Sequence, residues 1–246
     1  MAPYVFLAVR RILFKKLFLR YNKVTLKTFN EIRNQFFDFY NEVKAGHMNT
    51  TSQHHGGHGL DHDITVSMLA VHIAPTVHIG EKAWCASMLH SVDRVVEVDK
   101  IKETMYTYSR HLQPFFNQHE IDEIVEAAFH HSDLNQADQN ETQVVLMDAD
   151  RLANMQSAVI IRGGQFRNTL PVFEFSYLEG KTNPDSTYEN PKSILDNLRL
   201  IISQYIPQLR LPKAQTLGAL YATRLTAYIQ SIEQDYKELN LVNIEL

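Results

Sequence analysis

Residues 143–166 read QVVLMDADRLANMQSAVIIRGGQF. At 3.6 residues per turn, Leu146, Met147, Asp150, Ala153 and Asn154 fall on one face. That face is apolar or small except for Asp150 and Asn154, so the stretch predicts a core helix that carries a carboxylate inward. The same periodicity extends through the rest of the chain. Residues 28–45 place Phe29, Ile32, Phe36, Phe37 and Tyr40 at steps of three and four. Helical spacing returns over about 61–78, 81–96, 99–111, 117–132 and 141–162, and again over 191–206 and 213–239. In the helix at 191–206, Asn190 is the expected N-cap and Pro191 the first helical residue. No segment alternates with period two, and the expected fold class is all-α, a helical bundle. Two stretches break the pattern. Residues 46–60 hold four of the nine glycines and read as a loop. Residues 165–190, with Gly180, Asn183-Pro184 and Asn190-Pro191, read as a long irregular segment of the kind that often closes over a ligand.

A chain of 246 residues, 44% hydrophobic and 21% charged, is long enough to bury a sizeable core. Its net charge of -4 is unevenly spread. Seven of the 24 basic side chains (Arg10, Arg11, Lys15, Lys16, Arg20, Lys23 and Lys27) fall in residues 1–30, which hold no acidic one; the remaining 17 face 28 acidic side chains. A body this acidic is not expected to bind a nucleic-acid duplex. Residues 1–27 form a basic amphipathic segment, and residues 28–246 read as one domain. The segment has no apolar run of membrane-spanning length and no signal-peptide pattern. Three readings stand open for it: a helix packed on the domain, a helix lying on an anionic membrane surface through residues 1–25, or an organelle transit peptide. The single cysteine, Cys85, cannot form an internal disulfide, which suits a reducing, cytoplasmic compartment.

Two further polar residues share the inward placement of Asp150. In GHGLDHDITVSMLAVHIA, residues 57–74, His62 shares a face with Val66, Leu69 and Ile73. In EKAWCASMLHSVDRVV, residues 81–96, His90 shares a face with Ala83, Ala86 and Ser87, small enough for another helix to approach. Buried imidazoles and carboxylates need partners, and a divalent ion held by His62, His90 and Asp150 would satisfy all three. Mixed imidazole and carboxylate ligands suit Mn, Fe, Co, Ni or Zn, or Mg with water in its shell. Arg94, Arg151 and Arg162 lie near enough in sequence to offset phosphate charge. The structural alternatives are a hydrogen-bonded core histidine at 62 and a helix-surface ion pair between Arg151 and Asp148.

Taken in order, these segments resemble the H…HD…D signature of the HD-domain metal-dependent phosphohydrolases. DADRLANM, residues 148–155, is similar to the last motif of that family and to the matching motif of bacterial alarmone hydrolases. Gly163-Gly164-Gln165-Phe166 and Asn190-Pro191-Lys192-Ser193-Ile194 resemble a stand-alone, nucleotide pyrophosphohydrolase-like branch. The resemblance covers about residues 30–238. It implies an HD-domain bundle with the metal between the core helices, His62, His90 and Asp150 as ligands, and a small phosphorylated substrate, a nucleotide first. It gives Asp93 as candidate base and Arg94 and Arg151 as phosphate partners. By the same analogy His130 or His131 is a second-metal ligand or a phosphate contact, against the ordinary reading of a helix C-terminus. One position departs from the pattern: His90 is followed by Ser91, where the family has aspartate. Water, Asp93, Asp61 or His58 would then fill the gap. The alternative is a catalytically silent HD domain that binds a nucleotide or a protein partner.

Overall fold

The computed structural model describes residues 27–49, 59–242 and 244. Among them there are ten α-helices and no strand. They are α1 (Phe29–Gln35), α2 (Phe37–Asn49), α3 (Leu60–Ile73), α4 (Val77–Leu89), α5 (Ile101–Ser109), α6 (Gln118–Phe129), α7 (Glu141–Ala153), α8 (Val159–Phe166), α9 (Ile194–Tyr205) and α10 (Pro212–Glu238). The all-α bundle expected from the periodicity is the observed architecture.

Side-chain caps start five of these ten helices. Thr28 and Asn117 form capping boxes with Glu31 and Glu120. Thr76, Asn140 and Ser193 each accept a hydrogen bond from the backbone N–H three residues on. The helix expected over 191–206 therefore begins at Ile194 with Ser193, not Asn190, as N-cap. Four other boundaries differ from the periodic reading. The helix over 28–45 is two helices, bent at Phe36 (φ -108, ψ 41), and the second runs to Asn49, into the expected loop. Ala74 is extended (φ -54, ψ 144) before Pro75, as prolyl sterics require, so the helix of 61–78 stops at Ile73. The helix of 81–96 ends at Leu89, and Val92–Arg94 is a 3-10 turn. The helix of 141–162 divides at 154–158 into α7 and α8. Period counting runs across such breaks because apolar spacing continues on both sides of them.

The centre of the bundle is α3, α4 and α7, packed on one another, with α6 against α4 and α7. Trp84, Phe36, Phe39, Leu89, Ile124 and Leu146 are fully buried in this principal cluster. A second hydrophobic cluster joins Met155, Val159, Leu178, Leu195, Leu198, Ile201, Leu225 and Ile229. The long α10 serves both, with Ala214 in the first and Leu225 and Ile229 in the second. Cys85 is buried, and burial raises its thiol well above the ordinary value, leaving it protonated. No helix among the described residues is long and apolar enough to cross a membrane. Residues 1–26, and with them the proposed membrane contact, lie outside the described residues, as does His58.

Candidate metal centre

Each of the three central helices delivers one group to a common point. His62 is in the first turn of α3, His90 is the C-cap of α4, and Asp150 is in the last turn of α7. His62 Nε2 lies 3.1 Å and His90 Nε2 4.0 Å from Asp150 Oδ1. The ligand-capable atoms of all three lie within 4.8 Å of one another. Atoms about 2.1 Å from one ion are roughly 3–3.5 Å apart, so this spacing fits a shared divalent ion after a small contraction.

The electrostatics agree with that fit. His90 Nδ1 donates to the Ser87 carbonyl at 2.5 Å, which leaves Nε2 with the lone pair facing Asp150. Burial pushes the His90 imidazole down to about 4, against the opposing pull of Asp63, so it is neutral at physiological pH and able to ligate. Burial alone would raise the Asp150 carboxyl. The His62 hydrogen bond and the neighbouring imidazoles outweigh it and hold Asp150 ionised, well below the usual carboxylate range. Asn154 steadies the same carboxylate, with Nδ2 donating to the Asp150 carbonyl at 3.0 Å and to Oδ1 at 3.1 Å. Arg162 donates to Asn154 Oδ1 at 3.3 Å, extending this chain to α8.

Asp150 and His90 form one wall of a cavity of about 370 Å³. Four guanidinium groups line it (Arg94, Arg151, Arg162 and Arg167), together with four carboxylates (Asp93, Asp133, Asp150 and Glu189). A divalent ion on Asp150 would tip this balance positive and make the cavity a place for an anion. His131 is also in the lining. Its Nδ1 donates to the Ala128 carbonyl at 2.8 Å, and its ring meets His90 edge-on at 5.1 Å between centroids. His130 is absent from the lining and pairs with Glu126 and Asp133 at the surface. Arg94 and Asp93 sit together at the rim, 3.4 Å apart. Arg151 is buried, 3.6 Å from Asp148, and donates to the Gln208 carbonyl at 3.3 Å. Its guanidinium is thus committed to holding the chain behind the cavity.

Several cavity residues are not singled out by the sequence, which marks only the stretch 165–190 as a whole. Arg167, Tyr188 and Glu189 come from the irregular stretch between α8 and α9, and Tyr205 from the end of α9. The hydroxyls of Tyr188 and Tyr205 are hydrogen-bonded to each other, and burial raises both above the ordinary phenol value. Asp63, fully buried beside His62, is the other omission. Its face at steps of four, three and four, Asp63, Ser67, Ala70 and Ala74, is small-sided and buried, and that spacing was the available signal.

No protein-family model matches the chain, and no curated protein matches it by sequence. Solved structures do match it in shape. A structural-genomics crystal structure of a Lactobacillus plantarum protein is 16% identical, with a TM-score of 0.59, covering 81% of this chain and 97% of that one. Bacillus subtilis YpgQ, crystallised in complex with ADP, is 17% identical, with a TM-score of 0.55, covering 82% of this chain and 97% of its own. At these identities the likeness establishes a shared all-α fold over most of the chain.

Proposed function

We propose that this chain is an HD-type, metal-dependent phosphohydrolase acting on a phosphate ester or phosphoanhydride, with a nucleotide as the favoured substrate class. One observation carries the reading: two imidazoles and a carboxylate from three helices come together, and two of the three groups, His90 and Asp150, line an arginine-lined cavity. A bound divalent ion supplies Lewis acidity toward a phosphoryl oxygen and lowers the pKa of water. His62, His90 and Asp150 would hold that ion, while Asn154 keeps Asp150 in place. Arg94, Arg162 and Arg167 offer planar donors to phosphate oxygens. Asp93, at the rim beside Arg94, is the candidate proton acceptor, and His131 is the remaining imidazole in reach of the cavity. The nucleotide assignment draws on the shared fold with ADP-bound YpgQ.

Ser91 favours a second reading, a binding domain without catalysis, because hard divalent ions depend on anionic oxygen and the ligand set contains one carboxylate. Elemental mass spectrometry of the untagged protein, followed by phosphate release from nucleoside di- and triphosphates with Mn²⁺, separates the two. Stoichiometric metal and turnover, both lost in His90→Ala, are the expected result. Metal retained without turnover on any phosphate substrate would replace the hydrolase by the binding domain. Absence of metal even after soaking in Mn²⁺ would overturn the metal centre.

A further inference from the structure

A second carboxylate lies directly behind the ligands, and nothing above gives it a task. Asp63 is fully buried at the start of α3. Its Oδ1 accepts a hydrogen bond from Ser91 Oγ at 2.6 Å and lies 3.5 Å from His90 Nδ1. Its Oδ2 lies 2.9 Å from His47 Nε2. A carboxylate taken wholly out of water is costly and persists where its charge is used. The 2.6 Å separation is that of a charge-assisted O–H···O⁻ bond. Ser91 therefore has its one proton committed to Asp63. A hydroxyl has two lone pairs besides that proton, and Ser91 Oγ lies 3.5 Å from His90 Nε2, the nitrogen that faces Asp150. The oxygen that remains beside the ligand set is a serine oxygen made electron-rich by a buried anion.

We infer that Asp63 is a positioning residue that supplies, through the Ser91 hydroxyl, the second negative charge of the divalent-ion site. The carboxylate stands at 63 and the hydroxyl at 91, in contact, so that the pair does together what a single aspartate at 91 would do alone. This inference rests on the metal-centre reading. It also competes with a plainer role, since Asp63 ties α3 to the turn after α4 and to His47 of α2.

Calorimetric titration of the metal-stripped full-length chain with Mn²⁺, paired with thermal melts in chelator, distinguishes these roles. Asp63→Asn keeps the shape and can still accept from Ser91, but it removes the charge. The expected result is a loss of Mn²⁺ affinity of roughly 10- to 100-fold, with a chelator melt close to that of the parent. The reciprocal exchange Asp63→Ser/Ser91→Asp keeps one carboxylate and one hydroxyl in contact and should recover parental affinity, whereas Asp63→Ser alone should not. Undiminished Mn²⁺ binding by Asp63→Asn overturns the inference while leaving the metal centre intact. So does an exchange variant no tighter than Asp63→Ser, or one that no longer folds in chelator. No Mn²⁺ binding by the parent itself, a different result, would refute the metal centre and the inference with it.

Discussion

Asn154 shows how much of the site is held by residues that are not ligands. It is the C-cap of α7, and its amide meets both the backbone carbonyl and the carboxylate of Asp150, while its oxygen accepts from Arg162. The contact is local: a cap residue four positions after Asp150 lies one turn on, over the same edge of the helix. Asn154→Ala removes a fixed donor from an anionic ligand. Divalent-ion affinity is expected to fall roughly tenfold, read by Mn²⁺ titration, with little change in the metal-free melt. The sequence placed Asn154 on the Asp150 face and His62, His90 and Asp150 on inward faces. It paired Arg151 with Asp148 as the structural alternative to a phosphate contact, and the two are 3.6 Å apart. It passed over Asp63, because a charged residue after a candidate ligand reads as the solvent side of a helix until all sides of that helix are known to be covered.

At the scale of elements, α7 works in two directions. Asp150 faces the cavity, while Asp148, fully buried, turns toward the connection between α9 and α10. Asp148 Oδ2 accepts from the backbone N–H groups of Arg210 at 2.9 Å and Leu211 at 2.8 Å. Burial raises its pKa, and these two N–H donors work against that rise. One carboxylate thus anchors the connection that leads into α10 at Pro212. Asp148→Ala would leave two peptide donors without their acceptor, and Arg151 without its carboxylate partner, in a buried setting. The expected cost is about 3 kcal/mol, measured by urea unfolding, with Asp148→Asn recovering part of it. The spacing of Asp148 and Arg151 was legible, but the bond from Asp148 to Leu211 spans 63 positions of sequence. No local pattern encodes it.

Across the whole molecule, the cavity lies where the two hydrophobic clusters meet. The principal cluster carries His62, His90 and Asp150 on α3, α4 and α7. The second is built on α8, α9, the far half of α10 and the stretch between α8 and α9; Arg162 of α8, Arg167 and Tyr188 of that stretch and Tyr205 of α9 also line the cavity. This division makes a test. Leu198 is buried in the second cluster at 1% exposure and is not among the residues that line the cavity. Leu198→Ala should cost about 3 kcal/mol and loosen the arginine-bearing wall. The expected outcome is weaker binding of ADP or pyrophosphate to the Mn²⁺-loaded protein, with Mn²⁺ affinity itself unchanged. Equal losses in both titrations would show that the two clusters unfold as one unit.

By itself, the sequence determined the all-α architecture and the inward direction of His62, His90 and Asp150. Both follow from helical periodicity, a local property: each residue's neighbours three and four positions away decide which way it points. Helix ends were less legible, since Ser193 and Asn190 are both acceptable caps and only the N–H that Ser193 accepts distinguishes them. Tertiary structure alone decided that the ligand-capable atoms of His62, His90 and Asp150, from separate helices, come within 4.8 Å of one another. It also decided that the Ser91 hydroxyl, next to His90, meets the buried carboxylate of Asp63, and that Arg167, Tyr188 and Glu189 of the irregular stretch after α8 line the cavity. These depend on how helices cross and which side chains then fill the space between them, contacts between residues dozens of positions apart, which periodicity does not record.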